Sequence, residues 1–440
     1  MILRFPVRRR SEARARLAPP AHALAFTFAV ALVLWTALPG GAAAGAVTIR
    51  IAHWLGGAVH GSSVAAMMEE VAAYLEPYDI EVETIISGTE DYDQKVVTQT
   101  AGGVGPDVIF ALPYSNFVVQ ELLIDLTPYL ERDPELNFQS FVPVVWDIFT
   151  YDGATKLLPV GVSPYLMFYN RQHFQEAGMP YPDPSWTWAR DIPEALRKFH
   201  MTDGEGNVTR YGLLLENRPW TLFFSQGGEV FSPDGSRSVL HESAAAADLL
   251  AEVYRWQQER LIPSLANHRP TFANGLGAIH GVMGTFAFPF YQENAGQIDW
   301  SITLPPRGAA GLRIDENVNG WGINMHSKNP DEAWIVLKAL ATISGRATME
   351  VLGHFSPIIG KTDEATVRFM EEAYGLTPEE VALALDAINY VRPRFRHPRA
   401  PEITSIAQGA FNAISRSGAA PGPTLEDASA RIDAILRESR

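Results

Sequence analysis

The sequence predicts an α/β protein of two lobes, the first of which is built on a doubly wound, mostly parallel sheet. Between residues 48 and 112, segments that alternate apolar and polar residues, as strands do, are separated by segments with a helical apolar period. This βαβαβ order implies parallel strands with a ligand crevice beyond their carboxyl ends. The chain has 440 residues, and single hydrophobic cores stop growing at about 250–300 residues, so a second lobe is expected.

The βαβαβ unit divides into three strands and two helices. Residues 48–54 alternate like a strand and run into Gly56-Gly57, and residues 80–86 and 108–112 form the second and third strands. A helix is predicted from Val64, because apolar residues then recur with the period of a helix packed on one face, namely Met67, Met68, Val71, Ala72 and Leu75. Residues 92–100 are predicted to form the second helix.

Further elements are predicted in the rest of the chain. Residues 157–170 are expected to form one strand that passes between the lobes, with Pro159 and Gly161 near its start. Apolar period and composition indicate helices at 191–199, 244–259, 331–343, 378–388 and 425–437. Turn residues at 203–207 indicate a hairpin turn, and the glycine-rich segment 275–281 is interpreted as a loop.

The N-terminal segment has the pattern of an export signal. Six arginines against one acid, Glu12, precede an apolar run of 16 residues at 23–38. Small residues follow and fit a signal-peptidase site after Ala44 or Ala46, so residues 1–46 are predicted to be a signal peptide that is removed. A membrane anchor is the alternative interpretation, but a spanning helix needs about 20 apolar residues.

The chain contains no cysteine, which excludes disulfides, thiolate metal sites and a cysteine-linked lipid anchor. Loss of the signal peptide would remove six basic residues and one acidic residue, leaving 29 basic and 49 acidic residues, so the net charge would change from −15 to near −20. This balance argues against nucleic acid or anionic lipid as a partner, because both need clustered Lys and Arg. We therefore expect a protein that diffuses freely after export.

The motifs do not indicate a metal or nucleotide site. Residues 203–207 resemble the start of a calcium loop, but the twelfth position is Leu214, where a bidentate carboxylate is required. Residues 275–281 lack the glycine spacing of a dinucleotide fingerprint. The 11 histidines are scattered rather than spaced as ligands, and no HExxH helix or Gly-x-Ser-x-Gly elbow occurs. No cofactor, metal or catalytic residue is predicted.

Aromatic residues beside glycine and proline are the main functional signal. They stand where the sequence predicts loops: Trp54 before Gly56-Gly57, Tyr114 after Pro113, Tyr165 after Pro164, Trp220 after Pro219, Phe286 and Phe288 near Gly284, and Trp321 between Gly320 and Gly322. A pyranose ring has an apolar face for stacking and hydroxyls for hydrogen bonds, so such loops suit a sugar cleft. Any one of these residues alone is better explained as core, since Trp and Tyr are largely buried on average.

A series of short motifs adds a family resemblance. The longest runs from Asp91-Tyr92-x-x-Lys95 to Thr100-Ala101-Gly102-Gly103-Val104-Gly105-Pro106-Asp107-Val108. Others follow in a fixed order: Leu126-Thr127-Pro128-Tyr129-Leu130, Leu158-Pro159-Val160, Phe168-Tyr169-Asn170, Trp186-Thr187-Trp188, Gln226-Gly227-Gly228, Phe272-x-Asn274-Gly275, Met283-Gly284 and Gly320-Trp321-Gly322. With these motifs the chain resembles the extracellular solute-binding proteins of family 1, the carbohydrate receptors of bacterial ABC importers, over nearly all of its mature length.

The resemblance implies a periplasmic-binding-protein-like fold. Two doubly wound α/β lobes would be joined by a multi-strand hinge, with the ligand cleft between them. The N-terminal lobe would comprise residues 47–160 and 303–340, and the C-terminal lobe residues 161–302 and 341–440. The chain would cross between the lobes near Val160, Thr303 and Leu340.

The resemblance also implies which residues reach the cleft. The segment after Pro-Asp-Val would bring Tyr114, Ser115 and Asn116, and the segment after the first crossing would bring Ser163. Phe286 holds the place of an aromatic residue that commonly stacks on the sugar in this family. The full predicted ligand-binding set is Trp54, Asp91, Tyr114, Ser115, Asn116, Ser163, Tyr165, Trp220, Phe286 and Trp321.

The function implied by the resemblance is capture of a sugar or short oligosaccharide by lobe closure. A monomeric receptor without enzymatic activity would deliver the ligand to ABC permease subunits in the inner membrane. Many relatives carry a lipid-bearing cysteine after the signal, and this chain has none, so a free periplasmic protein is expected. Strongly charged ligands would need Arg or Lys at the matched cleft positions, and their absence there favours a neutral sugar.

Two kinds of alternative stay open. Polyol, glycerol-phosphate-type and amine ligands would keep the receptor role. An exported glycoside-acting enzyme would differ in class, and it would need two carboxylates about 5–9.5 Å apart across the scissile bond. The matched cleft positions offer no such carboxylate pair, which disfavours the enzyme.

Overall fold

The computed structural model describes residues 46–55, 61–86, 91–113, 115, 118, 121–151, 153–294, 298–315, 317–343, 345–395, 397 and 399–438. Contacts group the chain from Ala46 onward into one unit, and the predicted signal peptide lies outside the described residues apart from Ala46. Within these ranges, no helix is long and apolar enough to cross a membrane.

Strands and helices alternate along the described chain. The strands are β1 (Val47–His53), β2 (Ile80–Ile86), β3 (Val108–Ala111), β4 (Thr150–Tyr151), β5 (Ala154–Thr155), β6 (Leu158–Val162), β7 (Tyr165–Asn170), β8 (Met201–Thr202), β9 (Val208–Leu215), β10 (Gly277–Gly284), β11 (Trp300–Thr303), β12 (Ile314–Asp315), β13 (Val318–Ile323) and β14 (Val391–Arg392). The helices are α1 (Gly61–Leu75), α2 (Tyr92–Ala101), α3 (Thr127–Arg132), α4 (Pro143–Phe149), α5 (Arg171–Glu176), α6 (Asp191–Phe199), α7 (Pro219–Ser225), α8 (Ala244–Gln258), α9 (Arg269–Ala273), α10 (Phe288–Glu293), α11 (Pro330–Thr342), α12 (Gly345–Leu352), α13 (Glu364–Tyr374), α14 (Pro378–Asp386), α15 (Ala400–Ser417) and α16 (Pro421–Glu438).

The first sheet has five strands in the order β2-β1-β3-β13-β6. β1 pairs in parallel with β2 on one side, where Val47 lies opposite Ile80, and with β3 on the other, where Ile51 lies opposite Val108. β13 runs antiparallel to both β3 and β6. The predicted βαβαβ unit is confirmed, because α1 and α2 connect three parallel strands.

The second sheet also has five strands, in the order β11-β7-β10-β9-β8. β9 and β10 are parallel, whereas β7 runs antiparallel to its neighbours β10 and β11. Two short ladders, β4 with β5 and β12 with β14, lie outside the large sheets. The predicted α/β class is therefore confirmed, and both sheets are mixed, because β13 runs antiparallel in the first and β7 in the second.

Residues 157–170 form two strands rather than the single strand that the sequence predicts. β6 ends at Val162 in the first sheet, and β7 begins at Tyr165 in the second. Pro164 lies between them and has no N–H to donate to a ladder. The N–H of Ser163 donates to the carbonyl of Asn317, which precedes β13. The chain leaves the first sheet here because Pro164, which follows the Ser163 bond, cannot continue the ladder.

The glycine-rich segment 275–281 is also interpreted wrongly from the sequence. Most of it belongs to β10, a fully buried strand between β7 and β9, rather than to a loop. The Leu214 side chain on β9 occupies the space that a side chain at Gly277 would need, because its nearest atom lies 2.4 Å from that Cβ position. A strand buried on both faces shows no apolar and polar alternation, which removes the sequence signal for it.

The other predicted elements agree with the structure. The hairpin turn at 203–207 connects the antiparallel strands β8 and β9, and the N–H of Asp203 donates to the carbonyl of Asn207 at 2.9 Å. The five helices predicted after residue 190 all occur, with ends displaced by four residues at most. The apolar period and the composition that indicate these helices are local in sequence, which is why the helices could be predicted directly.

Each sheet has its own hydrophobic core. Ile51, Leu158 and Leu337 belong to the core of the first sheet, whereas Phe168 and Ile279 belong to the core of the second. A third cluster forms where α7, α8, α15 and α16 pack together. The two sheets are the structural basis for two lobes, and the predicted lobe boundaries stay a prediction.

Gly212 lies in β9, and we expect Gly212→Ala to lower the free energy of unfolding by about 1–3 kcal/mol. The added Cβ would lie 2.6 Å from the Cα of Leu196, and this backbone atom of α6 cannot rotate away. Gly204→Ala in the hairpin turn is the matched control, since no heavy atom lies within 4 Å of its Cβ position. Urea denaturation followed by circular dichroism measures both variants, and equal midpoints for the two would contradict the prediction.

Candidate functional site

Four strand ends of the first sheet meet at one edge. The parallel pairing of Ile51 with Val108 places the carboxyl ends of β1 and β3 together. The antiparallel pairing of β13 brings its first residue to the same edge, where Val318 lies opposite Val162 at the end of β6. The chain passes from this edge directly into β7, so this edge lies next to the second sheet.

The second sheet contributes a matching edge. Tyr165 at the start of β7 lies opposite Gly284 at the end of β10, and Gly281 of β10 lies opposite Leu215 at the end of β9. The carboxyl ends of the parallel strands β9 and β10 therefore point toward the crossing from the first sheet. We call the space between the two edges the cleft, and carboxyl ends of parallel strands are the usual location of ligands in such folds.

Ser163 ties the two edges together at the base of the cleft. Its side chain is fully buried, and its Oγ lies 2.9 Å from Oγ1 of Thr285 and accepts the N–H of Phe286 at 3.1 Å. One residue earlier, Val162 exchanges two 2.9 Å backbone hydrogen bonds with Phe355. The hydroxyl of Ser163, which the sequence assigns to ligand, is therefore engaged within the protein in this conformation.

Trp54 provides an aromatic face on the first-sheet side of the cleft. It follows β1 directly and is half-buried. Its ring packs on Tyr92 at 5.0 Å and on Phe110 at 4.6 Å between centroids, so two buried aromatic side chains hold it in place. A partly uncovered indole fixed in this way can stack on an apolar ring face of a ligand without losing much conformational freedom.

The other residues predicted on this side are placed differently. Ser115 is buried, and its Oγ accepts the N–H of Leu112 at 3.3 Å. Asp91 is exposed immediately before α2, and its side chain does not cap that helix. Tyr114 and Asn116 lie outside the described residues. The ligand role of these four residues stays a prediction.

Trp321 and Trp220 lie in hydrophobic cores rather than in loops, so the loop expectation for them is wrong. Trp321 is the central residue of β13 and packs on Phe110 in the core of the first sheet. Trp220 lies in α7 and packs on Phe411 in the third cluster. Each side chain is 1% exposed, so neither offers a surface to a ligand in this conformation.

Tyr165 and Arg218 form a polar pair on the second-sheet side. Tyr165 is buried, and its hydroxyl accepts a hydrogen bond from Nη1 of Arg218 at 2.8 Å. Burial raises the pKa of the Tyr165 phenol, so the phenol keeps its proton and remains able to donate it to a second partner. Arg218 is also held by Oε2 of Glu216, 3.2 Å from its Nε.

A buried ion pair lies close to this tyrosine. Arg394 donates to both carboxylate oxygens of Asp315, at 2.9 and 2.8 Å, and the two side chains are 12% and 3% exposed. The same guanidinium stands 5.0 Å from the ring of Trp220, and the N–H of Asp315 donates to Thr221. The bidentate pair, the contact of Arg394 with Trp220 and the bond to Thr221 together hold the short strand β12 against α7.

Phe286 is the aromatic residue that the second sheet presents at the cleft. It is half-buried and lies in the single turn of 3₁₀ helix, Thr285–Ala287, that directly follows β10. A side chain at Gly284 would lie within 2.5 Å of the Phe286 ring, so the ring rests on the glycine backbone beside Ser163. The guanidinium carbons of Arg218 and Arg269 lie 5.1 and 5.9 Å from the ring centroid.

The sequence finds no arginine or lysine at the matched cleft positions, whereas the structure places Arg218 and Arg394 at this edge. Arg218 follows β9 by three residues, and the nearest sequence signal is the predicted hairpin turn at 203–207 that precedes this strand. Arg394 and Arg269 come from segments distant in sequence, and no local pattern marks them. Among the described residues, no group of three or more His, Asp or Glu side chains could hold a metal ion.

A family comparison agrees with this geometry. The family model described as bacterial extracellular solute-binding protein matches residues 57–347, about two thirds of the chain. This chain is a bacterial extracellular solute-binding protein. The predicted family resemblance is thereby confirmed, and the two facing sheet edges are the part of the fold where such a protein can enclose a solute.

Individual relatives and solved structures are consistent with this assignment. A Brucella abortus protein described as a binding protein is 26% identical over 364 residues, which cover 78% of this chain and 83% of the relative. An ABC substrate-binding protein from Listeria monocytogenes in complex with cycloalternan has a TM-score of 0.75 at 19% identity, covering 89% of this chain and 98% of that one. A maltose/maltodextrin-binding domain from Bdellovibrio bacteriovorus bound to maltotriose has a TM-score of 0.71 at 18% identity, covering 89% and 100%. These structures share the fold.

His53 is a buried titratable group at the cleft edge of this solute-binding protein. Its Nδ1 accepts the N–H of Leu55 at 3.1 Å, and its ring packs against the edge of Trp321. Nε2 is buried without a hydrogen-bond partner among the described residues. Burial lowers the pKa of His53 to about 4, because no neighbouring group replaces the hydration of the charged ring.

We expect the stability of the protein to fall between pH 6.5 and pH 4, in part through His53. In this window the unfolded state binds a proton that the folded state excludes, so the free energy of unfolding decreases as the pH is lowered. The contribution of His53 between pH 7 and pH 5 is about 2 kcal/mol. His53→Asn keeps an acceptor for Leu55 and removes the titration. Urea denaturation at both pH values should show a smaller pH dependence for this variant, and equal dependence would refute the assignment.

Proposed function

We propose that this protein is the periplasmic receptor of an ABC importer for a sugar or short oligosaccharide. The observation that carries the proposal is the pair of half-buried aromatic side chains, Trp54 and Phe286, at the cleft edges of the two sheets. Each follows the carboxyl end of a parallel strand. A pyranose held between the lobes would have an apolar face available to either ring.

Polar groups next to these rings suit a hydroxylated ligand. The Tyr165 phenol, the Arg218 guanidinium and the Glu216 carboxylate form a hydrogen-bonded group beside Phe286. Sugar hydroxyls both donate and accept, and this group contains donors and an acceptor. The solved structures that share the fold include complexes with cycloalternan and with maltotriose, which supports the ligand class.

Capture would depend on closure of the lobes about the crossing at Ser163. Ligand shifts an equilibrium between open and closed forms only through its greater affinity for the closed form. Contacts to Trp54 from one lobe and to Phe286 from the other exist together only when the lobes approach. The closed protein would then dock on permease subunits in the inner membrane, as a monomer that diffuses in the periplasm after removal of residues 1–46 and without a lipid anchor.

Enzymatic activity is not part of this proposal. The family and the related structures are binding proteins. Two carboxylates of the described residues, Glu216 and Asp315, stand at the second-sheet edge, and both are engaged by arginine side chains. A glycosidase needs one carboxyl group to deliver a proton and another to act at the sugar carbon, and two carboxylates already paired with guanidinium groups do not suit these roles.

A thermal-shift screen against sugars, polyols, glycerol phosphate and amines tests the proposal. Ligand that binds the native state stabilises it by RT ln(1 + [L]/Kd), about 2.7 kcal/mol at 100 times Kd. We expect a saccharide to raise the unfolding midpoint and to be recovered intact by mass spectrometry. A shift with amines alone would overturn the ligand class, and recovery of a cleaved saccharide would overturn the receptor role.

We expect Phe286→Ala to weaken saccharide binding about tenfold, because the stacking face on the second lobe is lost. Tyr78→Ala is the matched control, since Tyr78 is exposed and precedes β2 at the sheet edge opposite the cleft. Isothermal titration calorimetry measures both variants against the saccharide found in the screen. Wild-type affinity in Phe286→Ala would remove this ring from the proposed site.

A further inference from the structure

Arg269 carries a positive charge that no carboxylate of the described residues neutralises. It opens α9, and its Nε donates to Oδ1 of Asn267 at 3.2 Å. No Asp or Glu oxygen in the described parts of the chain lies within 4.0 Å of its guanidinium nitrogens. By contrast, Arg218 and Arg394, which stand at the same edge of the second sheet, each bind a carboxylate.

The guanidinium of Arg269 stands over the aromatic surface of the cleft. Its carbon lies 5.9 Å from the ring centroid of Phe286 and 5.5 Å from that of Phe290, and both rings are half-buried. Arg218 approaches Phe286 as well, at 5.1 Å. The Phe286 ring therefore has two guanidinium groups around it, of which one is paired with Glu216 and the other has spare N–H donors.

The charged side chains that the structure describes beside Phe286 are mainly cationic, in a protein that is otherwise acidic. Arg218, Arg269 and Glu216 together carry a net charge of +1, whereas the whole chain carries −15. Burial lowers the pKa of the neighbouring His280, and Arg218 and Arg269 lower it further, so this imidazole adds no charge. Arg269 therefore places a positive charge beside the Phe286 ring in a protein whose net charge is negative.

We propose that the natural ligand is a saccharide with an anionic substituent, a carboxylate or a phosphate, whose pyranose ring stacks on Phe286 while the substituent binds the guanidinium of Arg269. This proposal rests on the proposed function and narrows its ligand class. A guanidinium fork matches both carboxylate and phosphate oxygens, and an aromatic surface beside it excludes water and strengthens the charged hydrogen bonds. Arg218 is positioned by Glu216 and Tyr165 to donate to ring hydroxyls.

The test compares matched acidic and neutral saccharides. Uronate disaccharides of glucose, galactose and mannose configuration, their neutral counterparts and the corresponding hexose 6-phosphates are titrated into the purified chain by calorimetry. We expect an acidic member to bind at least about tenfold more tightly than its neutral counterpart, with affinity that falls between 20 and 200 mM NaCl. Comparing the affinities of the uronates with those of the hexose 6-phosphates shows whether the substituent is a carboxylate or a phosphate.

Substitutions of Arg269 separate a ligand contact from a structural role. Arg269→Gln should weaken the acidic ligand about 10- to 100-fold and leave the neutral counterpart within about threefold. Arg269→Lys keeps the charge and should retain the salt dependence with intermediate affinity. Arg197→Gln is the control, because Arg197 is an exposed arginine on α6. Its affinity for both ligands should match that of the wild type.

The other possible outcomes contradict the anionic ligand alone, or the anionic ligand together with the sugar-receptor role. Equal or tighter binding of the neutral saccharides, or equal losses for both ligands in Arg269→Gln, overturns the anionic ligand and leaves the sugar receptor intact. Binding of amines with no saccharide response overturns the receptor's ligand class and this inference together. Absence of any response to the whole panel overturns both as well.

Discussion

The change of sheet between Val162 and Tyr165 is the constraint on which the site depends. The backbone of Val162 is bound to Phe355, and the hydroxyl of Ser163 is bound to Thr285 and to the N–H of Phe286, so the start of β7 and the end of β10 are fixed to the end of β6. These bonds are buried, and a buried polar group that loses its partner costs about 1–3 kcal/mol. The crossing therefore fixes Phe286 beside the end of β6 in the first sheet, the sheet whose strand β1 leads to Trp54.

Close packing against glycine residues holds the Phe286 ring at the crossing. The ring of Phe286 lies where a side chain at Gly284 would be, and the imidazole of His354 lies within 2.4 Å of the Cβ position of Gly161. Both glycines flank the crossing, one on each sheet. Because the bulky partner occupies the space that a methyl group would need, the chain can pass close to both sheets at the crossing.

The fold could largely be predicted from the sequence, and the candidate site only in part. The βαβαβ unit and the later helices follow from local period and from turn residues, which act over a few positions. The burial of Trp321 depends on Phe110 and His53, and that of Trp220 on Phe411, all distant in sequence, so their position beside glycine or proline was misleading. Arg269 reaches Phe286 across 17 residues of sequence for the same reason. The family motifs located Phe286 because they carry this long-range information indirectly.

Side chains that already have full sets of partners are poor candidates for ligand recognition, and those with spare capacity are better ones. Ser163, Asp315 and Arg394 are committed to contacts within the protein, and a ligand that displaced them would have to replace each bond. The uncovered parts of the Trp54 and Phe286 rings lose only water when a sugar covers them, and burying apolar surface is favourable. Arg269 differs from both groups, because its charge is incompletely compensated before any ligand arrives. A neutral sugar would cover this guanidinium and remove water from it without returning a charge, which is costly. An anionic substituent would supply the missing partner. Arg269 would therefore make closure over an acidic saccharide more favourable and closure over a neutral one less favourable.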